Sequence, residues 1–249
     1  MSETVELELW KILPLILIVA MLYSSVGHGG ASGYLALMSL LGVSTIYMRS
    51  SALILNILVS AISFYLFYRN GFFRWRLFYP FAIASVPMAF IGAGITLDPV
   101  WYNRILGLFL IFAALRISGI FNKYSETPEK ELTLLSGLIT GGVLGLFSGM
   151  IGIGGGIILS PIILIFGWGN VKQTAAVSAL FIFVNSLSGL TGLGSGNINF
   201  STDFIWWIAA AFIGGVIGSV WGSSFANNRI LKNVLAFVIL FAAVKLLIF

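Results

Sequence analysis

Cysteine is absent from this sequence of 249 residues, histidine occurs once, and only 8% of the residues are charged. A chain without cysteine forms no disulfide and offers no thiolate to a metal. One histidine and few carboxylates leave little for acid–base or nucleophilic catalysis, so we expect no enzyme, no cofactor and no metal site. A soluble domain has about a quarter of its residues charged, so the composition argues against that class as well.

The chain is rich instead in apolar residues, which make up 59% of the sequence and occur in long runs. Because about 20 apolar residues span the hydrocarbon of a bilayer, such runs predict membrane helices. The predicted spans lie near residues 9–26, 50–68, 77–97, 101–120, 132–147, 174–193, 204–221 and 230–249, with shorter runs at 34–41 and 157–166. We therefore expect an all-α polytopic protein of the cell membrane, surrounded by the lipid bilayer. The net charge of +5 fits basic cytoplasmic loops and requires no nucleic acid partner.

The two halves of the sequence match each other at a constant shift of 125 residues. Glycines at 27, 29, 30, 42 and 71 correspond to glycines at 152, 154, 155, 167 and 196, and Asn-Arg-Ile-Leu at 103–106 recurs at 228–231. Self-similarity at one fixed shift indicates an internal repeat. We predict a first transmembrane repeat at 1–124, a cytoplasmic linker at 125–131 and a second transmembrane repeat at 132–249.

In both halves a cluster of glycines stands between a long apolar run and a short one. Repeated interruptions of this kind predict a glycine-broken or re-entrant helix in each half, as in transporters with a central site. The other interpretation, close packing of helices against small residues, is the one we favour for Gly141-Gly142 and Gly214-Gly215. If the chain reverses at each break, the two halves are inverted; if it passes straight through, they are parallel. The distribution of Lys and Arg favours inversion.

The start of a helix exposes backbone amides and the positive end of the helix dipole, so two broken helices meeting in the membrane would attract a small anion. Polar side chains within the spans can line such a site, although hydrogen bonding between helices explains them about as well. The one histidine is interpreted either as a titrating group or as a neutral spacer. The candidate substrate-binding residues are Gly27, His28, Gly29, Gly30, Ser32, Asn56, Gly152, Gly154, Gly155, Gly156, Ser178 and Asn185. Arg49 and Lys172 fall at span ends, where snorkelling is the default interpretation.

The segment Gly-Ile-Gly-Gly-Gly-Ile-Ile-Leu-Ser-Pro at 152–161 resembles a signature of the TauE/SafE sulfite exporter family, and the segment at 175–189 resembles its second signature. That family usually has a threonine where this chain has Val177, which leaves Ser178 to supply the hydroxyl. The resemblance implies a secondary transporter of a small sulfur-containing anion (sulfite, thiosulfate or a short organosulfonate) that works by alternating access. Protons and sodium are candidate coupling ions, and a passive anion-selective channel is the alternative. The sequence leaves the oligomeric state open.

Overall fold

The computed structural model describes residues 3–117, 130–194 and 204–224, together with residues 240, 243, 244 and 247. Within these ranges every regular element is a helix. The helices are α1 (Glu3–Ser24), α2 (Ala31–Leu40), α3 (Thr45–Arg69), α4 (Trp75–Gly94), α5 (Pro99–Ile117), α6 (Leu134–Ile151), α7 (Gly156–Ile165), α8 (Val171–Gly192) and α9 (Phe204–Ser224). Five of them, α3, α4, α6, α8 and α9, are long and apolar enough to cross a membrane, which confirms the predicted multi-pass, all-α class.

The predicted spans agree with these helices wherever the structure describes them. The short runs predicted at 34–41 and 157–166 are the ten-residue helices α2 and α7. Most of the predicted linker at 125–131 and most of the predicted last span at 230–249 lie outside the described residues. The linker and the boundaries of the two halves therefore stay predictions.

Glycine interrupts the helix in each half, as the sequence predicted. The end of α1 is closed by a hydrogen bond from His28 N–H to Tyr23 O, with left-handed Gly27 (φ 77°) between them. The end of α6 is closed in the same way, from Ile153 N–H to Ser148 O across Gly152 (φ 87°). Such a helix ending strongly favours glycine, because a Cβ is strained at positive φ. We call residues 25–30 the first break and residues 152–155 the second break.

The chain turns back on itself at the first break. Ser32 Oγ of α2 lies 2.7 Å from Tyr23 Oη of α1. One residue further along α2, Gly33 packs against Tyr23 and Val19, so α2 runs back along the end of α1. A helix of ten residues is about 15 Å long, half the hydrocarbon thickness, and α2 is therefore a half-helix.

The second break has the same course. Leu159 of α7 and Leu144 of α6 belong to one hydrophobic cluster. The end of α7 comes close to the residues just before α6, where Lys130 N–H donates to Gly167 O at 2.7 Å. The end of α7 therefore lies near the start of α6.

Two long helices, α3 and α8, cross the centre of the molecule side by side in opposite directions. Leu53 near the start of α3 contacts Gly189 near the end of α8, and Phe67 near the end of α3 packs with Ala175 near the start of α8. The two half-helices lie against this antiparallel pair.

Four of the other described long helices form two parallel pairs with glycine in the interface, α4 with α6 and α1 with α9. A Cβ on Gly141 would collide with the backbone of Phe81, and a Cβ on Gly214 would collide with the backbone of Leu17. These two glycines therefore serve close helix packing, as predicted. Their neighbours Gly142 and Gly215 have room for a methyl group, or nearly so, since the closest atoms are 3.7 Å and 3.4 Å away.

Candidate functional site

The two breaks meet at the side chains of Asn56 on α3 and Ile182 on α8. A Cβ on Gly29 would collide with Asn56 Oδ1 and would lie 3.1 Å from Ile182 Cγ2. A Cβ on Gly154 would lie 2.8 Å from Asn56 Nδ2 and 2.8 Å from Ile182 Cγ2. The N-termini of α2 and α7 thus converge between the central helices, and each points the positive end of a helix dipole toward the same place.

Asn56 joins the two breaks. Its side chain is 1% exposed. Its Oδ1 accepts a hydrogen bond from Ala31 N–H at the start of α2 (2.9 Å), and its Nδ2 donates to Ile153 O of the second break (3.0 Å). Nδ2 also lies 3.4 Å from Ser186 Oγ on α8. Because one end of the amide faces a donor and the other faces a carbonyl, the orientation of the side chain is fixed.

His28 connects the first break with α7 and α8. Its side chain is 5% exposed, and Nε2 lies 3.2 Å from Gly156 O and 2.9 Å from Ser160 Oγ. Ser160 Oγ in turn lies 2.8 Å from Ser178 Oγ. Since a carbonyl oxygen only accepts, the contact with Gly156 is a hydrogen bond when Nε2 carries a proton. The chain His28–Ser160–Ser178 therefore consists of groups that both donate and accept.

The other candidate residues divide into glycines that allow close contact and polar groups that lie apart. Gly27 packs against the backbone of Ala175, so it positions the first break on the start of α8. Ser32 bonds with Tyr23 of its own half. The side chain of Asn185 is fully buried, but its Nδ2 donates within α8 to Phe181 O (2.7 Å) and its Oδ1 has no partner among the described residues. No described hydrogen bond joins Asn185 to Asn56 or His28.

Each of the other four candidate glycines packs closely against a neighbour. Gly30 lies against the Tyr34 ring, Gly152 against the backbone of Arg49, Gly155 against the Phe181 ring, and Gly156 against Ile182. A side chain at any of these positions would enter space that a neighbour already fills.

Arg49 corrects one interpretation drawn from the sequence. It does not snorkel to an interface, because it is only 8% exposed and its Nη2 donates to Ala93 O (2.9 Å) and to Gly149 O (3.0 Å). These carbonyls lie in the last turns of α4 and α6, where the backbone oxygens lack helical partners and the dipole is negative. The two helix ends together compensate the buried guanidinium. Its partners are 44 and 100 residues away in the sequence, so no local pattern could have identified them.

Lys172, in contrast, is only partly buried. Its Nζ lies 4.7 Å from the centre of the Phe72 ring and 3.5 Å from Ser223 O near the end of α9. This position, beside an aromatic ring near the end of a helix, agrees with the interpretation drawn from the sequence.

Side chains of the first half hold the backbone of the second break and its flanks. Four carbonyl oxygens are bound or approached in this way: Gly149 O by Arg49, Ile151 O by Tyr102 (3.0 Å), Ile153 O by Asn56, and Gly156 O by His28. We call these four side chains the carbonyl clamp. Tyr102 and Ser160 were not among the candidates from the sequence, because a single tyrosine or serine in an apolar run gives no signal of its partner.

Acidic residues have no place at the convergence point in the part of the chain that the structure describes. No group of three or more His, Cys, Asp or Glu side chains comes together there to hold a metal ion. Asp98 caps the start of α5, accepting from Val100 N–H at 2.9 Å. The described part of the convergence point is thus built from two helix N-termini and the side chains of Asn56 and His28.

Comparison with known proteins gives one family. Residues 12–246 match the family model described as sulfite exporter TauE/SafE. A curated relative from Sinorhizobium fredii, described as a probable membrane transporter protein, is 37% identical over 234 residues, which cover 92% of this chain and 94% of the relative. A second, from Methanocaldococcus jannaschii and described in the same words, is 27% identical over 201 residues, covering 74% and 73% of the two chains. No solved structure matches the chain.

Proposed function

Because the chain belongs to the sulfite exporter TauE/SafE family and is a multi-pass membrane transporter rather than an enzyme, we propose that it carries a small sulfur-containing anion by alternating access. The substrates that fit are sulfite, thiosulfate and short organosulfonates. The family and the residues of the breaks support this class of substrate together.

The observation that carries the proposal is the convergence of two half-helix N-termini at Asn56. Half-helix N-termini at mid-membrane are the arrangement by which transporters bind anionic groups. The polar side chains around this point, Asn56, His28 and Ser178, are donors that need carry no charge. A neutral donor stabilises a desolvated oxyanion without the strong attraction that a fixed cation would add, so the anion can be released again.

We further propose that the two halves are inverted repeats. Exchange of the halves would convert the α4–α6 pair into the α9–α1 pair, and both pairs run parallel with glycine contacts. The same exchange would map α3 onto α8, and these two helices run in opposite directions. Inverted repeats around a central site can alternate between two states of similar energy that open to opposite sides, which supports a carrier.

The orientation follows from the cations. Arg69, Arg74, Arg76, Lys130 and Lys172 lie at the membrane face where α3 ends and α4, α6 and α8 begin. Arg104 lies near the start of α5, at the opposite face. By the positive-inside rule, the first of these faces is cytoplasmic, and so is the linker at 125–131.

Flux through the purified protein in proteoliposomes tests the proposal. Radiolabelled sulfite or thiosulfate should enter with saturable kinetics, and unlabelled anion on the far side should accelerate exchange. A membrane potential supplies about 2.3 kcal/mol per charge per 100 mV, so flux should also be measured with the potential clamped, and with and without gradients of protons and sodium.

The transport-inactive control is the double variant Gly154→Leu, Gly155→Leu. Both positions have positive φ and neighbours within 3.0 Å of a Cβ, so the leucines should displace the second break while the apolar spans still insert. Unsaturable flux without counterflow would identify the passive channel instead. Normal flux in the double variant would contradict the site at the breaks.

A further inference from the structure

Tyr34 places a hydroxyl at the N-terminus of α2. It lies four residues after Gly30, the left-handed N-cap of that helix. Side chains on a helix lean toward its N-terminus, so the ring of Tyr34 extends back over the cap. A Cβ on Gly30 would lie 2.8 Å from Cζ and 2.8 Å from Oη of Tyr34. Glycine at position 30 thus leaves the space that the phenol fills.

The hydroxyl of Tyr34 is buried and has no hydrogen-bond partner among the described residues. The residue as a whole is 1% exposed. A buried hydroxyl without a partner destabilises the folded protein, whereas phenylalanine would fill the same space without that penalty. A ligand that brings an acceptor oxygen to this hydroxyl would remove the penalty.

The backbone at the start of α2, next to this hydroxyl, donates a hydrogen bond to a side-chain oxygen. Ala31 N–H, one of the four amides that the start of a helix leaves without helical partners, donates to Asn56 Oδ1 at 2.9 Å. The Tyr23 and Ser32 hydroxyls form a pair one residue further along. The amide oxygen of Asn56 thus marks a place where an acceptor oxygen fits the N-terminus of α2.

We propose that Tyr34 donates a hydrogen bond to an oxygen of the transported anion, bound at the N-terminus of α2. The inference rests on the proposed function and makes the first break the side of the site that recognises the oxyanion. The residue 125 positions later is Leu159, so this phenol belongs to the first half alone.

The test compares Tyr34→Phe with a matched control, Tyr102→Phe, in detergent solution. Tyr102 Oη donates to Ile151 O at 3.0 Å, so its loss leaves a buried carbonyl without that donor. Thermal unfolding is followed against sulfite, thiosulfate, methanesulfonate, chloride and acetate, because a ligand that binds the folded state raises its apparent melting temperature.

We expect Tyr34→Phe to unfold at the same or a higher temperature than the wild type without anion, and to bind the anion about tenfold more weakly, as loss of a hydrogen bond to a charged group requires. Its KM for flux should rise by the same factor. Tyr102→Phe should unfold at a lower temperature, because Ile151 O loses its donor. If Tyr34→Phe does not fold, Tyr34→Met, which also lacks the hydroxyl, replaces it.

Unchanged affinity in Tyr34→Phe would overturn the proposal, and a lower melting temperature with unchanged affinity would assign the hydroxyl a structural role. If the wild type is stabilised only by chloride or acetate, the proposed sulfur substrate fails, while Tyr34 is judged by its effect on that anion. If no anion stabilises the wild type, both proposals fail.

Discussion

The first and second breaks share a backbone course but differ in what holds them. Each begins after a helix closed by a left-handed glycine and leads into a half-helix of ten residues. Around the second break, four carbonyl oxygens face the carbonyl clamp, whose side chains all come from the first half. The first break has the Tyr23–Ser32 pair, the bond from Ala31 to Asn56, and a tyrosine hydroxyl without a described partner.

This difference assigns the breaks different roles in the proposed transporter. A break whose carbonyls are bound from the other half is fixed in position. Beside the first break, the Tyr34 hydroxyl is a donor that the proposed ligand can use. Two similar backbones can therefore supply an anchored side and a recognising side of one site, with Asn56 connecting them.

Among the variants that test the difference between the two breaks, replacement of Arg49 in the carbonyl clamp should lower the free energy of unfolding most. In Arg49→Met, Ala93 O and Gly149 O both lose their buried donor. Each buried carbonyl left without a donor costs about 1–3 kcal/mol, so we expect the free energy of unfolding in detergent to fall by about 3–5 kcal/mol. The matched control is Lys172→Met in the second half. Its bond to Ser223 O is long, 3.5 Å, and partly exposed, so the loss should be below about 1 kcal/mol. Equal losses in the two variants would break the distinction between the halves.

Alanine at the left-handed glycines should destabilise the protein by different amounts at the two breaks, because the two glycines have different neighbours. A Cβ on Gly27 would collide with the backbone of Ala175, whereas a Cβ on Gly152 would lie 3.3 Å from Arg49 Cα. We expect Gly27→Ala to cost about 3 kcal/mol or more and Gly152→Ala about 2 kcal/mol, measured by unfolding in detergent. Gly42→Ala is the control, since Gly42 has positive φ and nothing within 4 Å of a Cβ. It should cost only the left-handed strain, about 1 kcal/mol.

If Gly42→Ala were as destabilising as Gly27→Ala, strain alone would explain the glycines. The contact between the first break and α8 would then have no separate energetic importance.

Replacement of Asn56 should sharpen the comparison, because this side chain serves both breaks. Asn56→Ala leaves Ala31 N–H and Ile153 O without their side-chain partner, so we expect a loss of about 2 kcal/mol in unfolding free energy and reduced flux. Asn185→Ala is the control, since its described bond lies within α8 and its loss should cost less than about 1 kcal/mol. A larger loss of stability and flux in Asn185→Ala than in Asn56→Ala would place the centre of the site at Asn185 on α8 instead.

The elements of the fold were more accessible to sequence reasoning than the contacts of the site. The shift of 125 residues identified Gly27 and Gly152 as corresponding positions, and both have the left-handed conformation. Where a helix ends depends mainly on residues that are neighbours in the sequence, so the repeated glycines are enough to predict the two helix ends. Arg49 was interpreted wrongly, because its burial depends on carbonyls of two helices that are distant in the sequence. Tyr34 gave no signal, since a tyrosine in an apolar run is indistinguishable from a packing residue.

The sequence by itself determined that lipid surrounds this protein, where helices run and where glycine ends them. Those features follow from local physics, since a membrane segment must satisfy its own backbone and glycine is the residue best suited to a left-handed helix end. Only the tertiary structure decided that the two half-helices meet at Asn56 and that the first half binds the carbonyls of the second. Those contacts depend on the antiparallel packing of α3 and α8, which joins residues about a hundred positions apart.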